Sequence, residues 1–187
     1  PAATKALEAK YGLDKPMAER YFTYISDAAH GDFGDSLKQR GRTVMDIIAT
    51  KFPVSARLGG MAVVLALCVG VPLGVLAAYK RGTFIDSLFS VIATCGIAVP
   101  GFVICTLLLY VFGVKLQWLP TLGLKSAQSY IMPVVALAAY PTSYIMRLMR
   151  SSMLDVLGQD YMRTAKAKGL SQKVSLFKHA LRNAILP

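Results

Sequence analysis

Few side chains in this sequence are equipped for covalent or metal chemistry, and their spacing does not gather them. The three cysteines, Cys68, Cys95 and Cys105, all fall in long apolar runs, with no CxxC pair and no cysteine–histidine cluster of metal-ligand spacing. They read as small apolar packing residues, and the isolated His30 and His179 as surface or interface histidines. No G-x-x-x-x-G-K-[ST] phosphate loop occurs. No catalytic residue, metal or cofactor is therefore expected in this chain. The residues that do form a pattern are Asp160 to Ser171, DYMRTAKAKGLS. An acid opens the stretch, Arg163, Lys166 and Lys168 place cations towards its end as a helix dipole favours, and Gly169 can take the left-handed conformation that closes a helix. The chemistry on offer is recognition, either of an anionic membrane surface or of a partner's groove.

The elements around this stretch are mostly apolar. The chain has 187 residues, 55% of them hydrophobic, and a mean hydropathy of +0.48, above an ordinary soluble domain. Leu58 to Tyr79 runs 22 residues without a charge and Leu88 to Gly113 runs 26, where a spanning helix needs roughly 17 to 25. Tyr130 to Met146 adds 17 more, and a third span is drawn over about 130–149. An all-α polytopic membrane protein is the expected fold class. The formal net charge of +11 then belongs to anionic lipid and topology and not to nucleic acid, because the basic residues flank apolar runs. With no initiator Met, no signal-like start, and an end at Leu186-Pro187 straight after a helical pattern, the sequence reads as a fragment.

Residues 1–53 read as an extramembrane segment. Pro16 stands at a helix start; Met17, Tyr21, Tyr24 and Ala28 make one apolar stripe, and Gly31 ends it. Val44, Ile47, Ile48 and Phe52 form a second short pattern that is expected to halt at Pro53, either as an interfacial helix or as a plain surface helix. Breakers recur inside the spans: Gly70, Pro72 and Gly74, then Pro100-Gly101, then Pro133 and Pro141. In lipid they require neighbours that satisfy the freed backbone groups, so Pro72, Pro100, Gly101 and Pro141 are candidates for hinges, or else packing devices. The uncharged runs speak against a carrier that keeps ionisable groups at membrane depth.

Orientation is nearly balanced by charge. One side carries nine and two Lys/Arg, in residues 1–57 and 114–129; the other carries two and eight, in 80–87 and the tail. The short loop with Lys80-Arg81 leans towards a cytoplasmic tail, with Tyr110, Phe112 and Trp118 at the outer interface. From Arg147 the helical pattern continues through Met153, Leu154, Leu157 and Tyr161; Gly158 breaks it and Asp160 can cap the next helix. Ser171 can cap a further one, with Val174, Phe177, Leu181 and Ile185 as its stripe. A two-turn helix over 161–168 is unstable alone, so it must rest either on the anionic membrane surface or in a partner's groove. Small residues at Thr164, Ala165 and Ala167 favour the groove, since lipid-surface helices offer bulky apolar side chains.

Residues Asp160 to Pro187 resemble the coupling loop of ATP-binding-cassette importer permeases, in the dipeptide, oligopeptide and nickel branch. Arg163-Thr164-Ala165 occupies the place of that family's E-A-A, Gly169 that of its glycine, and Leu186-Pro187 that of its terminal pair. YGLDKP (residues 11–16), GDFG (31–34), GVPLGVLAAYKRG (70–82) and SSMLDVLGQDY (151–161) are similar to the same branch in the same order. The resemblance implies a partial type I importer transmembrane domain over 54–187, with three of six spans and a coupling loop at 158–172. It further implies a multi-pass inner-membrane protein with residues 1–57 outside and the loop in the cytoplasm. The implied partners are separate ATPase subunits, a second homologous permease subunit, an extracytoplasmic solute-binding protein and the bilayer. Tyr161, Arg163, Thr164, Ala165, Lys166, Ala167, Lys168, Gly169 and Leu170 would dock on the ATPase, and the cargo would be peptides or nickel. A secondary carrier or channel fragment with a lipid-binding basic tail is the alternative.

Overall fold

A computed structural model of the chain describes residues 12–171 and 174–186, apart from the Lys166 side chain. Tyr11 and Pro187, quoted above, lie outside the described residues. The chain divides into two compact units, one ending at Ala56 and the other beginning at Arg57.

In the first unit, helix α1 covers Met17–Ala29. Pro16 is its N-cap, with an extended backbone, one position earlier than first-turn placement. Gly31, at φ +86°, ends it as expected: its N–H donates to the Ala28 carbonyl at 3.0 Å and that of Asp32 to the Asp27 carbonyl at 2.9 Å, the paired bonds of a glycine-closed helix end. Thr43 and Asp46 then start helix α2 reciprocally, the Asp46 N–H donating to Thr43 Oγ1 at 3.1 Å and the Thr43 N–H to Asp46 Oδ2 at 3.2 Å.

Helix α2 covers Val44–Tyr79 without interruption, which corrects the expected halt at Pro53. A proline removes one N–H and crowds the carbonyl four residues back; here that carbonyl belongs to Ala49, which is exposed and can be hydrated. The 36 residues make a helix roughly 54 Å long, longer than the ~30 Å hydrocarbon core. Gly70 and Gly74 do not break it either. A Cβ on Gly70 would lie 2.9 Å from the Thr142 carbonyl oxygen, and one on Gly74 would lie 2.6 Å from that of Met146. The two glycines, four apart, let two backbones approach as small residues do between membrane helices.

The second uncharged run is not one straight span. Helix α3 (Phe84–Ala98) and helix α4 (Gly101–Leu108, continued by a π-helical turn over Leu109–Lys115) meet at 102°. The break lies at Pro100: a proline disfavours the helical region for the residue before it, and here Val99 sits at φ −85°, ψ 121° while Pro100 is at φ −58°, ψ 138°. A tight 3-10 turn over Ala127–Tyr130 leads into helix α5, Ile131–Leu157. Pro133 falls in the first turn of α5, where its missing N–H has no intrahelical partner to lose, so it is no breaker. Pro141 lies inside the same helix. By length and composition α2 and Ala127–Leu157 can cross a membrane, and the bent α3–α4 pair makes a third candidate. Both α3 and α4 pack on α5, whose inward face carries Met132, Ala136, Ser143, Met146, Met149 and Met153.

Helix α6 is Asp160–Ala167, so Asp160 is the first helical residue and Gln159 precedes it. After Ser171, whose Oγ accepts from the Val174 N–H at 3.4 Å, a π-helical turn covers Ser175–Ala180 and helix α7 covers Leu181–Ala184. The expected stripe of Val174, Phe177, Leu181 and Ile185 is not the buried face: Phe177 is 61% and Ile185 58% exposed, while Ser175, Ala180 and Ala184 are buried. A π turn holds more residues per turn than an α-helix and rotates the inward face away from the phase a regular helix would give.

Candidate functional site

The end of α2, the end of α5, α6 and α7 meet in one apolar cluster built by Val75, Ala78, Met149, Met153, Met162, Ala180 and Ala184. Met153 and Met162 are its largest fully buried side chains. Methionine suits such a junction, because its flexible thioether fills irregular gaps between helices. The cluster explains how a two-turn helix exists at all: α6 is seated on its own chain by Met162 and Ala165, which are 1% and 7% exposed.

That seating sorts the sequence-predicted residues. Arg163, Thr164, Ala167, Lys168, Gly169 and Leu170 all lie on the open side of α6 or its end, and Tyr161 is half-exposed. Ala165 faces inward, so any part it takes in docking is through the seat. The Lys166 side chain lies outside the described residues. Tyr161, placed by its spacing on the inward stripe, is displaced there by Met162 because the break at Gly158 restarts the helical phase. Its hydroxyl instead accepts from Asn183 Nδ2 at 3.1 Å, which ties α6 to α7.

The ends of α6 are well defined. Asp160 places a carboxylate in the first turn, favourable to the dipole, and pairs with Arg163 at 3.6 Å. Both side chains are over four-fifths exposed, so the pair contributes little and leaves the guanidinium available. Gly169 sits at φ +77°, and the Leu170 N–H donates to the Ala165 carbonyl at 3.3 Å, the long bond of the same glycine closure seen at Gly31.

Of the span residues, Pro100-Gly101 marks a backbone break, whereas Pro72 and Pro141 lie within continuous helices. Pro72 helps to line an apolar groove of about 480 Å³ together with Val71, Leu76, Phe177 and Leu181. Sequence reasoning missed one ionic contact. Arg150 of α5 donates from Nε to Asp86 Oδ1 at 2.6 Å and from Nη2 to Oδ2 at 2.8 Å, and the Gly82 N–H donates to Oδ2 at 3.0 Å. Asp86 is 6% exposed. Its position just before an uncharged run was the available signal; the partner, 64 residues on, had none.

Over residues 70–187 the sequence matches the family described as binding-protein-dependent transport system inner membrane component. It is 43% identical over 189 residues to the oligopeptide transport system permease protein OppB of Salmonella typhimurium, covering 100% of this chain and 62% of that protein. It is 45% identical over 186 residues to the dipeptide transport system permease protein DppB of Bacillus subtilis, covering 100% and 60% respectively. Against the glutathione transport system permease protein GsiC of Escherichia coli O1:K1, the identity is 44% over 176 residues, or 94% and 57% of the two chains. The chain thus spans about three fifths of the length of the curated relatives it matches. These matches displace the carrier-or-channel alternative. With its apolar helices and similarity along the whole of this sequence, the chain belongs to the binding-protein-dependent transport system inner membrane components, as a multi-pass ABC permease of the dipeptide and oligopeptide branch.

Proposed function

We propose that the chain is the membrane-spanning permease subunit of an ATP-driven importer of peptides, and that α6 is the helix through which a separate ATPase moves it. The observation that carries this reading is the two-faced build of α6. Met162 and Ala165 anchor it to the junction of α2, α5 and α7, and the opposite side offers Arg163, Thr164, Ala167 and Lys168, with Tyr161 and Leu170 part-exposed at its two ends. A helix so anchored transmits a push on its outer face into the ends of two spans. A helix that merely lay on lipid would turn bulky apolar groups outward.

Docking of Tyr161 to Leu170 in a cleft of the ATPase would let nucleotide-driven closure shift α6 and α5 together, a rigid-body change between two packings. Residues 1–57 would face outside and residues 158–172 the cytoplasm. A second homologous permease subunit would complete the pathway, and an extracytoplasmic binding protein would deliver the cargo. Peptides are preferred to nickel because the relatives named above carry oligopeptide, dipeptide and glutathione in their names.

The test is to purify the full-length protein with its partner subunits and measure ATP turnover with and without peptide-loaded binding protein. Stimulated turnover is expected in the native complex. Gly169→Trp, or reversal of Arg163, Lys166 and Lys168 to glutamate, is expected to reduce ATPase association and uptake while membrane insertion persists. Unchanged co-purification and uptake in both variants would exclude α6 as the coupling element.

A further inference from the structure

The contact between Asp86 and Arg150 joins two helices at the point where three converge. Arg150 lies two turns before the end of α5, next to Gly74 of α2, where an added Cβ would come within 3.2 Å of the Arg150 backbone nitrogen. Asp86 lies in the first turn of α3. Its carboxylate is held on one side by both guanidinium nitrogens and on the other by the Gly82 N–H of the α2–α3 turn, where Gly82 takes φ +76°. A bidentate guanidinium–carboxylate pair fixes distance and orientation together. The Asp86 side chain is 9% exposed, so parting the helices would take from a buried carboxylate its guanidinium partner and leave it the Gly82 N–H. Higher on the same helices, a Cβ on Gly96 of α3 would overlap Ser143 of α5, so α3 and α5 are in close contact along their length.

We infer that Asp86 and Arg150 are positioning residues for transport: they lock the α2–α3 turn to the final turns of α5, so that a displacement of α6 is carried into α3 and its 102° bend with α4. The inference rests on the transport reading above and deepens it. Apolar contact alone would hold α3 against α5 but would let them slide, because packing in a membrane lacks the directionality of a forked ion pair. With the joint intact, α2, α3 and α5 move as one body with α6, and the flexible point is the break at Val99 to Gly101. Without it, movement of α6 is absorbed at the α3–α5 contact and ATP is hydrolysed without delivering cargo.

The experiment uses the complete transporter in proteoliposomes, with peptide-loaded binding protein, and reads peptide uptake per ATP hydrolysed. Two variants avoid a bare buried charge: Arg150→Lys keeps the charge and loses the fork, and the double variant Asp86→Leu/Arg150→Met removes both charges at once. Each is expected to keep ATP turnover within about twofold of the native complex while uptake per ATP falls about fivefold to tenfold, the range in which single positions alter coupling. A pair serving only to hold the fold gives a different result. The ratio would stay at the native value, or uptake and turnover would fall in equal proportion with the amount of assembled complex; either outcome overturns the inference. A native complex whose ATP turnover ignores the peptide-loaded binding protein would instead contradict the transport reading itself, and this inference with it.

Discussion

At Gly169 a single residue sets the length of α6. A Cβ there would meet nothing within 4 Å, so the constraint is conformational and not steric: at φ +77° a non-glycine residue costs about 1–2 kcal/mol. Gly169→Ala should therefore fray the end of α6 and weaken ATPase association several-fold without loss of membrane insertion, as measured by co-purification from matched membranes. Asp86 presents the opposite case. Arg150→Ala would strand a buried carboxylate, and the expected cost is towards the lower end of about 3–5 kcal/mol because the Arg150 side chain is still 31% exposed; thermal unfolding in detergent checks it. The two residues also differ in how legible they are. Gly169 announces itself through a local property, the left-handed backbone that only glycine takes freely. Arg150 and Asp86 are ordinary charges at span borders whose meaning depends on a fold that brings together residues 64 positions apart.

For the helices, uncharged length located the spans, because lipid admits only backbones that satisfy themselves. What length could not give was shape. Pro53, Pro72, Pro100, Pro133 and Pro141 look alike in sequence, yet among them only Pro100 stands between two helices, with Val99 and Pro100 extended and Gly101 opening α4. Pro100→Ala removes the steric bar on Val99 and should reduce the bend, lowering uptake while ATPase association is kept; unchanged uptake would rule out a mechanical role for it. Gly70 and Gly74 look like breakers and prove to be contact surfaces, a distinction set by the partner helix. Gly74→Val would drive its Cβ to 2.6 Å from the Met146 oxygen and 2.7 Å from Met149 Cβ, and should destabilise the α2–α5 contact by about 1–3 kcal/mol, seen as a lowered unfolding temperature. The terminal stripe was misread for a related reason: a π turn changes the period without leaving a sequence mark.

Taken whole, the molecule places a two-turn helix at the junction of its spans and leaves one side of that helix open. Membership of the permease family accounts for the apolar helices; the seating of α6 by Met162 and Ala165 accounts for how such a short helix could bear force. The most direct test of this arrangement is site-directed cross-linking in the complete complex, with Cys68, Cys95 and Cys105 first replaced by alanine. Single cysteines at Ala167 and Lys168, on the open side, are predicted to cross-link to the ATPase subunit, with a yield that changes when nucleotide is added, whereas a cysteine at Met162 is predicted to remain unlinked. Cross-linking from Met162 but not from Ala167 or Lys168, or no cross-link from any position on α6, would contradict the account.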